Sequence, residues 1–213
     1  MRFEAGEKIL FIGDSITEDN RFQDEAGLGA GYVRHIHDYF ALLHPELKLQ
    51  IVNKGISGNR VVDLKARWET DVIEEKPDWL SVSIGVNDVW RQLDRPNIEQ
   101  IHPAEFMDVY RELLKSVKDR TNANLIILEP TVIEEDEQSE GNLLLKEYIA
   151  ITSMLSKEFD AIHVPMHHRF IAYIRAYPGN KLTTDGVHMN TLGRMLMTLI
   201  WLESAGLIEV DSA

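Results

Sequence analysis

Apolar residues fall into two alternating patterns along this chain: short unbroken runs and stretches with a helical repeat. The runs lie at 8–12, 49–53, 79–84, 124–128 and 161–164. Their length and continuity predict strands buried on both faces, as in a parallel sheet. Between them Tyr32, Ile36, Tyr39, Phe40 and Leu43 recur at helical spacing, as do Val61, Leu64, Trp68 and Val72. Two longer stripes follow: Phe106, Val109, Tyr110, Leu113, Leu114 and Val117, then Leu144, Tyr148, Ile151, Leu155 and Phe159. Each stripe predicts a helix that lays one face on the core. A last helix is expected from Asn190, a good N-cap, through Leu192, Met195, Leu196 and Leu199 to a stop near Gly206. Runs and stripes in this order predict an α/β protein whose mainly parallel sheet is covered by helices on both faces. No repeat, linker or low-complexity stretch interrupts the pattern, so residues 1–213 read as a single domain.

Composition narrows the choice of partner. The 35 acidic residues outnumber the 22 Lys and Arg, and the net charge of −13 argues against nucleic acid or an anionic membrane surface. There is no cysteine, which excludes disulfides, thiolate metal sites and a cysteine nucleophile. No segment has the apolar length of a membrane span, and the residues before the first run lack a secretory signal's apolar stretch, so a cytoplasmic protein is expected. His35 and His37 fall on different faces of a helical pattern, and the adjacent His167 and His168 cannot readily share an ion; no metal site is expected. His163, in a strand pattern, reads as a satisfied structural residue. The glycines at 27–31 lack the strand and the downstream acid of a dinucleotide loop, so no nucleotide cofactor is expected, and they read as a mobile loop on the substrate side. Acidic residues at 134–137 and Glu140 predict a solvated loop over the sheet's carboxyl edge.

Chemistry concentrates where the runs end. Gly13-Asp14-Ser15-Ile16-Thr17 follows the first run directly, which exposes a serine at the carboxyl edge of the sheet, where open α/β folds bind ligands. Asn53-Lys-Gly-Ile-Ser-Gly-Asn59 and Gly85-Val-Asn-Asp88 follow the second and third runs and converge on that edge. Asp185-Gly-Val-His188 supplies a histidine that an aspartate three residues earlier can orient. Acyl transfer needs a nucleophile, a base, an orienter for the base and donors aimed at the developing oxyanion. Ser15 fits as the nucleophile and its N–H as the first donor. Gly58, lacking a side chain, would let a second N–H approach closely, and Asn87 offers a side-chain amide as the third. His188 would take the serine proton through Nε2 while Asp185 holds Nδ1. Asp14 and Asp88 read as braces hydrogen-bonded to nearby N–H groups. Asn59, Arg60, Trp90 and Arg91 are candidate substrate contacts, the last two by stacking on or hydrogen-bonding a sugar ring.

In these blocks the chain resembles the GDSL, or SGNH, hydrolase family. The matches are Gly13-Asp14-Ser15-Ile16, with isoleucine for the usual leucine, Asn53-x-Gly55-x-x-Gly58, Gly85-x-Asn87-Asp88 and Asp185-x-x-His188, in the family's order. The resemblance implies a three-layer α/β/α, flavodoxin-like fold with a five-stranded parallel sheet, and an esterase or acylhydrolase without metal or organic cofactor. Segments 53–59, 63–68, 76–79 and 85–91 resemble the bacterial carbohydrate-esterase branch that contains intracellular acetyl-xylan esterases. Met189 departs from it, where the family often has proline after the histidine. The expectation is a serine esterase that removes short acyl groups, chiefly acetyl, from small carbohydrate esters through an acyl-enzyme, with an acetylated sugar as its small-molecule partner. A lysophospholipase or thioesterase, which needs a longer apolar acyl channel, is the rival within the class. A non-catalytic carbohydrate-binding protein on the same fold is the rival outside it. The apolar stripes leave a homo-oligomer open, since they do not separate core from subunit interface.

Overall fold

The structure, a computed structural model, describes residues 2–209. Its centre is a five-stranded sheet of β1 (Lys8–Gly13), β2 (Gln50–Gly55), β3 (Trp79–Ser83), β4 (Asn124–Leu128) and β5 (Ile162–Val164). The strands pair in the order β2-β1-β3-β4-β5 and every pair is parallel. Each apolar run became a strand, with one systematic difference: β1 and β2 run past the apolar residues to pair Gly13 with Gly55. Both ends are crowded. A Cβ at Gly55 would come within 2.2 Å of the Glu18 amide nitrogen, and one at Gly13 within 2.4 Å of the Ser83 carbonyl oxygen. Glycine therefore lets the two strands close on the turn that carries Ser15.

The helices are α1 (Ser15–Glu18), α2 (Tyr32–Leu43), α3 (Val61–Trp68), α4 (Val86–Asp94), α5 (Pro103–Arg120), α6 (Glu140–Glu158), α7 (Met166–Ala176) and α8 (Thr191–Ser204). A single π-type turn, Glu69–Ile73, extends α3 and buries Val72 as its stripe predicts. On one side of the sheet α8 packs against α2 and α7; on the other α5 packs against α3 and α6, and α4 against α6. The result is the expected three-layer α/β/α architecture. Its core is tied by Trp201, fully buried on α8, whose Nε1 donates to Ser81 Oγ of β3 at 3.1 Å. No helix among the described residues is long and apolar enough to cross a membrane.

Two stripes are rotated from the expected faces. Leu43 is 62% exposed because α2 buries Tyr32, Val33, Ile36 and Phe40 instead. Leu144 is 36% exposed, and α6 buries Leu145, Tyr148, Ile149, Thr152, Leu155 and Ser156. The hydroxyls of Thr152 and Ser156 donate to the carbonyls of Tyr148 and Thr152, each at 2.8 Å, which satisfies them inside the core. A stripe counted on apolar residues alone misses such positions. α8 starts as predicted, with Asn190 Oδ1 accepting from the Gly193 N–H at 3.0 Å, but Leu192, Met195 and Leu199 face outward.

Candidate active site

β1 breaks at Gly13 into α1, and Asp14 caps that helix by accepting from the Ile16 N–H at 3.0 Å. Ser15 opens the helix at the carboxyl edge of the sheet. Its Oγ lies 2.9 Å from His188 Nε2, and His188 Nδ1 lies 2.7 Å from Asp185 Oδ2. Asp185 Oδ1 also accepts from the N–H groups of His188, at 2.8 Å, and Val187, at 3.1 Å. Burial alone would raise the Asp185 carboxyl; these hydrogen bonds outweigh it and hold the group below the usual carboxylate range. An ionised carboxylate only accepts, so Nδ1 carries a proton; in the neutral imidazole that leaves Nε2 as the acceptor facing the serine hydroxyl. The structure thus joins serine, histidine and aspartate, 173 residues apart at the extremes, in one hydrogen-bonded line.

The segment after β2 packs against the segment after β3. Asn87, 2% exposed at the start of α4, donates from Nδ2 to the Asn59 carbonyl at 3.1 Å and accepts at Oδ1 from Arg91 Nη2 at 3.0 Å. Gly58 has φ +81°, and a Cβ placed there would meet nothing within 4 Å. The left-handed backbone by itself calls for glycine at this position. Asn53 brackets this region: its Nδ2 donates to the carbonyls of Thr17 at 2.7 Å and Leu28 at 2.8 Å, and its Oδ1 accepts from the Gly55 N–H at 2.8 Å. Together with Asp24, which accepts from the N–H groups of Leu28 and Gly29, Asn53 ties down residues 27–31, which sequence reasoning read as a mobile loop.

Asp14 and Asp88 are braces, as expected. Asp88 Oδ1 accepts from the Val61 N–H at 3.0 Å, across to the start of α3, while Oδ2 has no partner among the described residues. Burial pushes the Asp14 carboxyl up to about 6, against the pull of the Ile16 N–H and of His188 and Arg91. Burial pushes Asp88 up to about 7, and the nearby Asp14 adds to the rise.

Of the four candidate substrate contacts, Trp90 alone flanks the hydrogen-bonded line, its ring edge-on to His188 with centroids 5.8 Å apart. Arg91 turns to Asn87 and to Asp94 Oδ2. Asn59 accepts at Oδ1 from Arg67 Nε at 2.8 Å, and Arg60 reaches Asp63 and the Glu99 carbonyl. A cleft of about 290 Å³ opens beside Ser15 and His188, with Glu18, Asp19, Asn20, Ser57, Thr184 and Arg194 among its walls. Ser57 Oγ donates to Glu18 Oε2 at 2.7 Å, and Arg194 Nη2 to Asp19 Oδ1 at 2.6 Å.

Two residues given no individual role by the sequence hold this site together. Arg67 donates to the carbonyls of Lys54, at 2.8 Å, and Gly13, at 3.1 Å, as well as to Asn59 and to Asp71 Oδ2, so one guanidinium joins the ends of β1 and β2 to the loop after β2. Glu135 Oε1 accepts from the N–H groups of Leu182, at 2.8 Å, and Thr183, at 2.7 Å, and from Thr183 Oγ1 at 2.6 Å. The acidic stretch at 134–137 is the solvated loop expected between β4 and α6, with Glu134 and Asp136 exposed, and through Glu135 it also anchors the loop that carries Asp185 and His188. Elsewhere, His163 Nε2 and His168 Nδ1 face the buried Glu129, at 3.3 and 2.8 Å, and His167 Nδ1 faces the Thr131 carbonyl oxygen at 2.6 Å. Among the described residues no three His, Asp or Glu side chains are arranged to hold a metal ion.

Comparison with known proteins gives a consistent set of likenesses. A family model described as GDSL-like lipase/acylhydrolase matches residues 11–196. An acetylxylan esterase of Geobacillus stearothermophilus is 37% identical over 220 residues, covering 100% of both chains. The crystal structure of an acetylxylan esterase from that organism superposes with a TM-score of 0.91 at 36% identity over 100% of each chain. Structures of its catalytic mutants include separate alanine replacements of a serine, an aspartate and a histidine. An alpha/beta hydrolase enzyme from the metagenome of Lake Arreo, Spain, gives a TM-score of 0.90 at 30% identity, over 98% of this chain and 99% of that one.

Proposed function

Since the chain belongs to the GDSL-like lipase/acylhydrolase family, and is a carboxylic ester hydrolase resembling acetylxylan esterases, we propose that it removes acetyl groups from small acetylated sugars, xylo-oligosaccharides foremost. The carrying observation is the 2.9 Å approach of Ser15 Oγ to His188 Nε2, with Asp185 behind the imidazole. In this reading Ser15 Oγ attacks the acetyl carbonyl carbon as His188 takes its proton. The N–H groups of Ser15 and Gly58 and the Asn87 amide receive the negative charge that develops on the carbonyl oxygen. The imidazolium gives the proton to the departing sugar oxygen, leaving acetyl-Ser15. His188 then activates a water that attacks the acetyl carbon, and acetate leaves as the proton returns to Ser15 Oγ.

The cleft beside Ser15 supports a hydroxyl-rich leaving group. Its carboxylates, amide and hydroxyls offer acceptors and donors to a sugar, and Arg194, the one Lys or Arg among the described residues on its walls, is already paired with Asp19 and not free to hold an anionic leaving group such as coenzyme A or a lysophospholipid. A long acyl chain gains roughly 0.8 kcal/mol per buried methylene, and only where the walls are apolar. To Trp90, whose ring lies edge-on to His188, this reading assigns packing on a sugar ring. The test is kcat/KM for acetylated xylo-oligosaccharides, other acetyl sugars, acetyl-CoA, lysophospholipid and octanoyl esters. Acetyl sugars should lead, and Trp90→Ala should lower their turnover more than that of p-nitrophenyl acetate. Turnover that rises with chain length would overturn the sugar reading in favour of a lipid-ester acylhydrolase.

A further inference from the structure

Resting on the reading of Asn87 as an oxyanion donor, we propose that Arg91 is a positioning residue: it fixes which end of the Asn87 amide faces the reacting ester. The two ends of a carboxamide are nearly equal in shape and opposite in role, since Nδ2 donates two hydrogens and Oδ1 only accepts. Turned one way, the Asn87 amide stabilises an oxyanion; turned the other, it presents a second negative oxygen to it. Two neighbours decide the matter. A guanidinium only donates, so the atom 3.0 Å from Arg91 Nη2 is Oδ1. A carbonyl only accepts, so the atom 3.1 Å from the Asn59 oxygen is Nδ2. One Nδ2 hydrogen goes to Asn59, and the other remains for the substrate.

Arg91 is itself held. Its Nη1 donates to Asp94 Oδ2 at 2.5 Å, its guanidinium lies 4.8 Å from the Trp90 ring centroid, and its side chain is only 12% exposed. Asn87 and Arg91 are one turn apart on α4, a spacing that brings the two side chains together on the helix surface. Without Arg91, the Asn59 carbonyl alone would oppose a turned amide. Arg91, singled out by sequence as a sugar contact, therefore acts on every ester that uses the same oxyanion site.

Arg91→Met and Arg91→Lys, each alone and combined with Asn87→Ala, test this with p-nitrophenyl acetate and an acetylated xylo-oligosaccharide as substrates. Complete loss of an oxyanion donor costs about 10²–10³ in kcat, so Arg91→Met should cost about 10–100-fold. The loss should fall on kcat, equally for both esters, with KM within about twofold of the unchanged protein. Arg91→Lys, which keeps a donor, should recover part of it. In the Asn87→Ala background Arg91→Met should have almost no further effect, because no amide remains to orient. Labelling of Ser15 by a fluorophosphonate to full stoichiometry identifies a folded site in each variant, and Arg91→Lys carries the comparison if Arg91→Met does not reach it. Losses that multiply in the double variant, or a raised KM confined to the sugar ester, would overturn the proposal and make Arg91 an independent contact. Unchanged protein inert to both esters, or Ser15→Ala as active as it, would overturn the reading of the site and this inference together.

Discussion

The two halves of the hydrogen-bonded line are built differently. The half that carries the proposed nucleophile sits on strand ends: Asp14, Asn53, Asn87 and Asp88 are buried, Asp14 bonding within its own turn and the other three between segments that neighbour one another at the sheet edge. The acid–base half is a loop between α7 and α8. Its Asp185 and His188 side chains are 48% and 39% exposed, and it is closed by one antiparallel bridge, Thr183 to Met189, with Glu135 gripping it from across the edge. In the first half, the contacts that align catalytic groups also hold the core together. In the second, Leu182, Val187 and Met189 pin the loop to the core, while the polar contacts that align Asp185 and His188 lie at its exposed edge. Substitutions in the first should therefore cost stability along with activity, and substitutions of these polar contacts in the second should cost activity alone.

The largest expected effect lies in the second half. Asp185→Asn keeps the size of the side chain but removes the charge that orients Nδ1–H, and should lower kcat by about 10⁴ with little change in Tm. Glu135→Ala, remote from the reacting atoms, frees the Leu182 and Thr183 N–H groups from their shared acceptor. It should lower kcat by roughly 10-fold or more, since small misplacements of a catalytic group can cost up to about 100-fold. A Glu135→Ala variant with unchanged kcat would show that the remaining contacts, among them the 2.7 Å bond from the Glu134 N–H to the Gly186 carbonyl, suffice to position His188.

Asn53→Ala belongs to the first half and should act mainly through stability. It orphans the Thr17 and Leu28 carbonyls and the Gly55 N–H, all near buried backbone, at about 1–3 kcal/mol for each group left unpaired. Thermal unfolding should show Tm lower by several degrees, at roughly 2–4 °C per kcal/mol for a chain of this size. Unaltered Tm with reduced kcat would erase the contrast between the halves.

The smallest expected effect is a pH dependence. Burial raises the Asp88 carboxyl from 3.8 to about 7, so the folded state binds that proton more tightly than the unfolded chain does. The contribution of Asp88 to stability is then complete below about 4 and declines as pH rises toward about 7. Asp88→Asn removes this dependence while its Oδ1 can still accept from Val61 N–H. Between pH 5 and pH 8 the Tm of the unchanged protein should fall more than that of Asp88→Asn. Parallel Tm curves would show that Asp88 titrates alike in both states.

The same contrast explains how much was legible in the sequence. Strands buried on both faces leave unbroken apolar runs, and a serine, a glycine or an asparagine placed just after such a run is carried to the sheet edge whatever the rest of the chain does. Ser15, Asn53 and Asn87 were readable on that basis, and the Asp185–His188 spacing identified the second half. The supports were not. Arg67 borders the apolar stripe of α3 and lies in the 63–68 segment that carries the resemblance, but neither signal assigns it a partner. Glu135 reads as one acid among several, because its partners lie 47 and 48 residues away. The positive φ of Gly58 is a second reason for glycine there that spacing does not report. Leu43 and Leu144 misled because helical faces were counted from apolar residues, whereas α6 buries two hydroxyls that bond back to its own backbone.

The account stands on Ser15 as the nucleophile that His188 activates. Reaction with a fluorophosphonate, followed by peptide mass spectrometry, addresses this directly. The account predicts a single adduct on the peptide containing Ser15, absent in Ser15→Ala and formed far more slowly in His188→Ala. An adduct on another residue, or labelling that persists in Ser15→Ala, would contradict it.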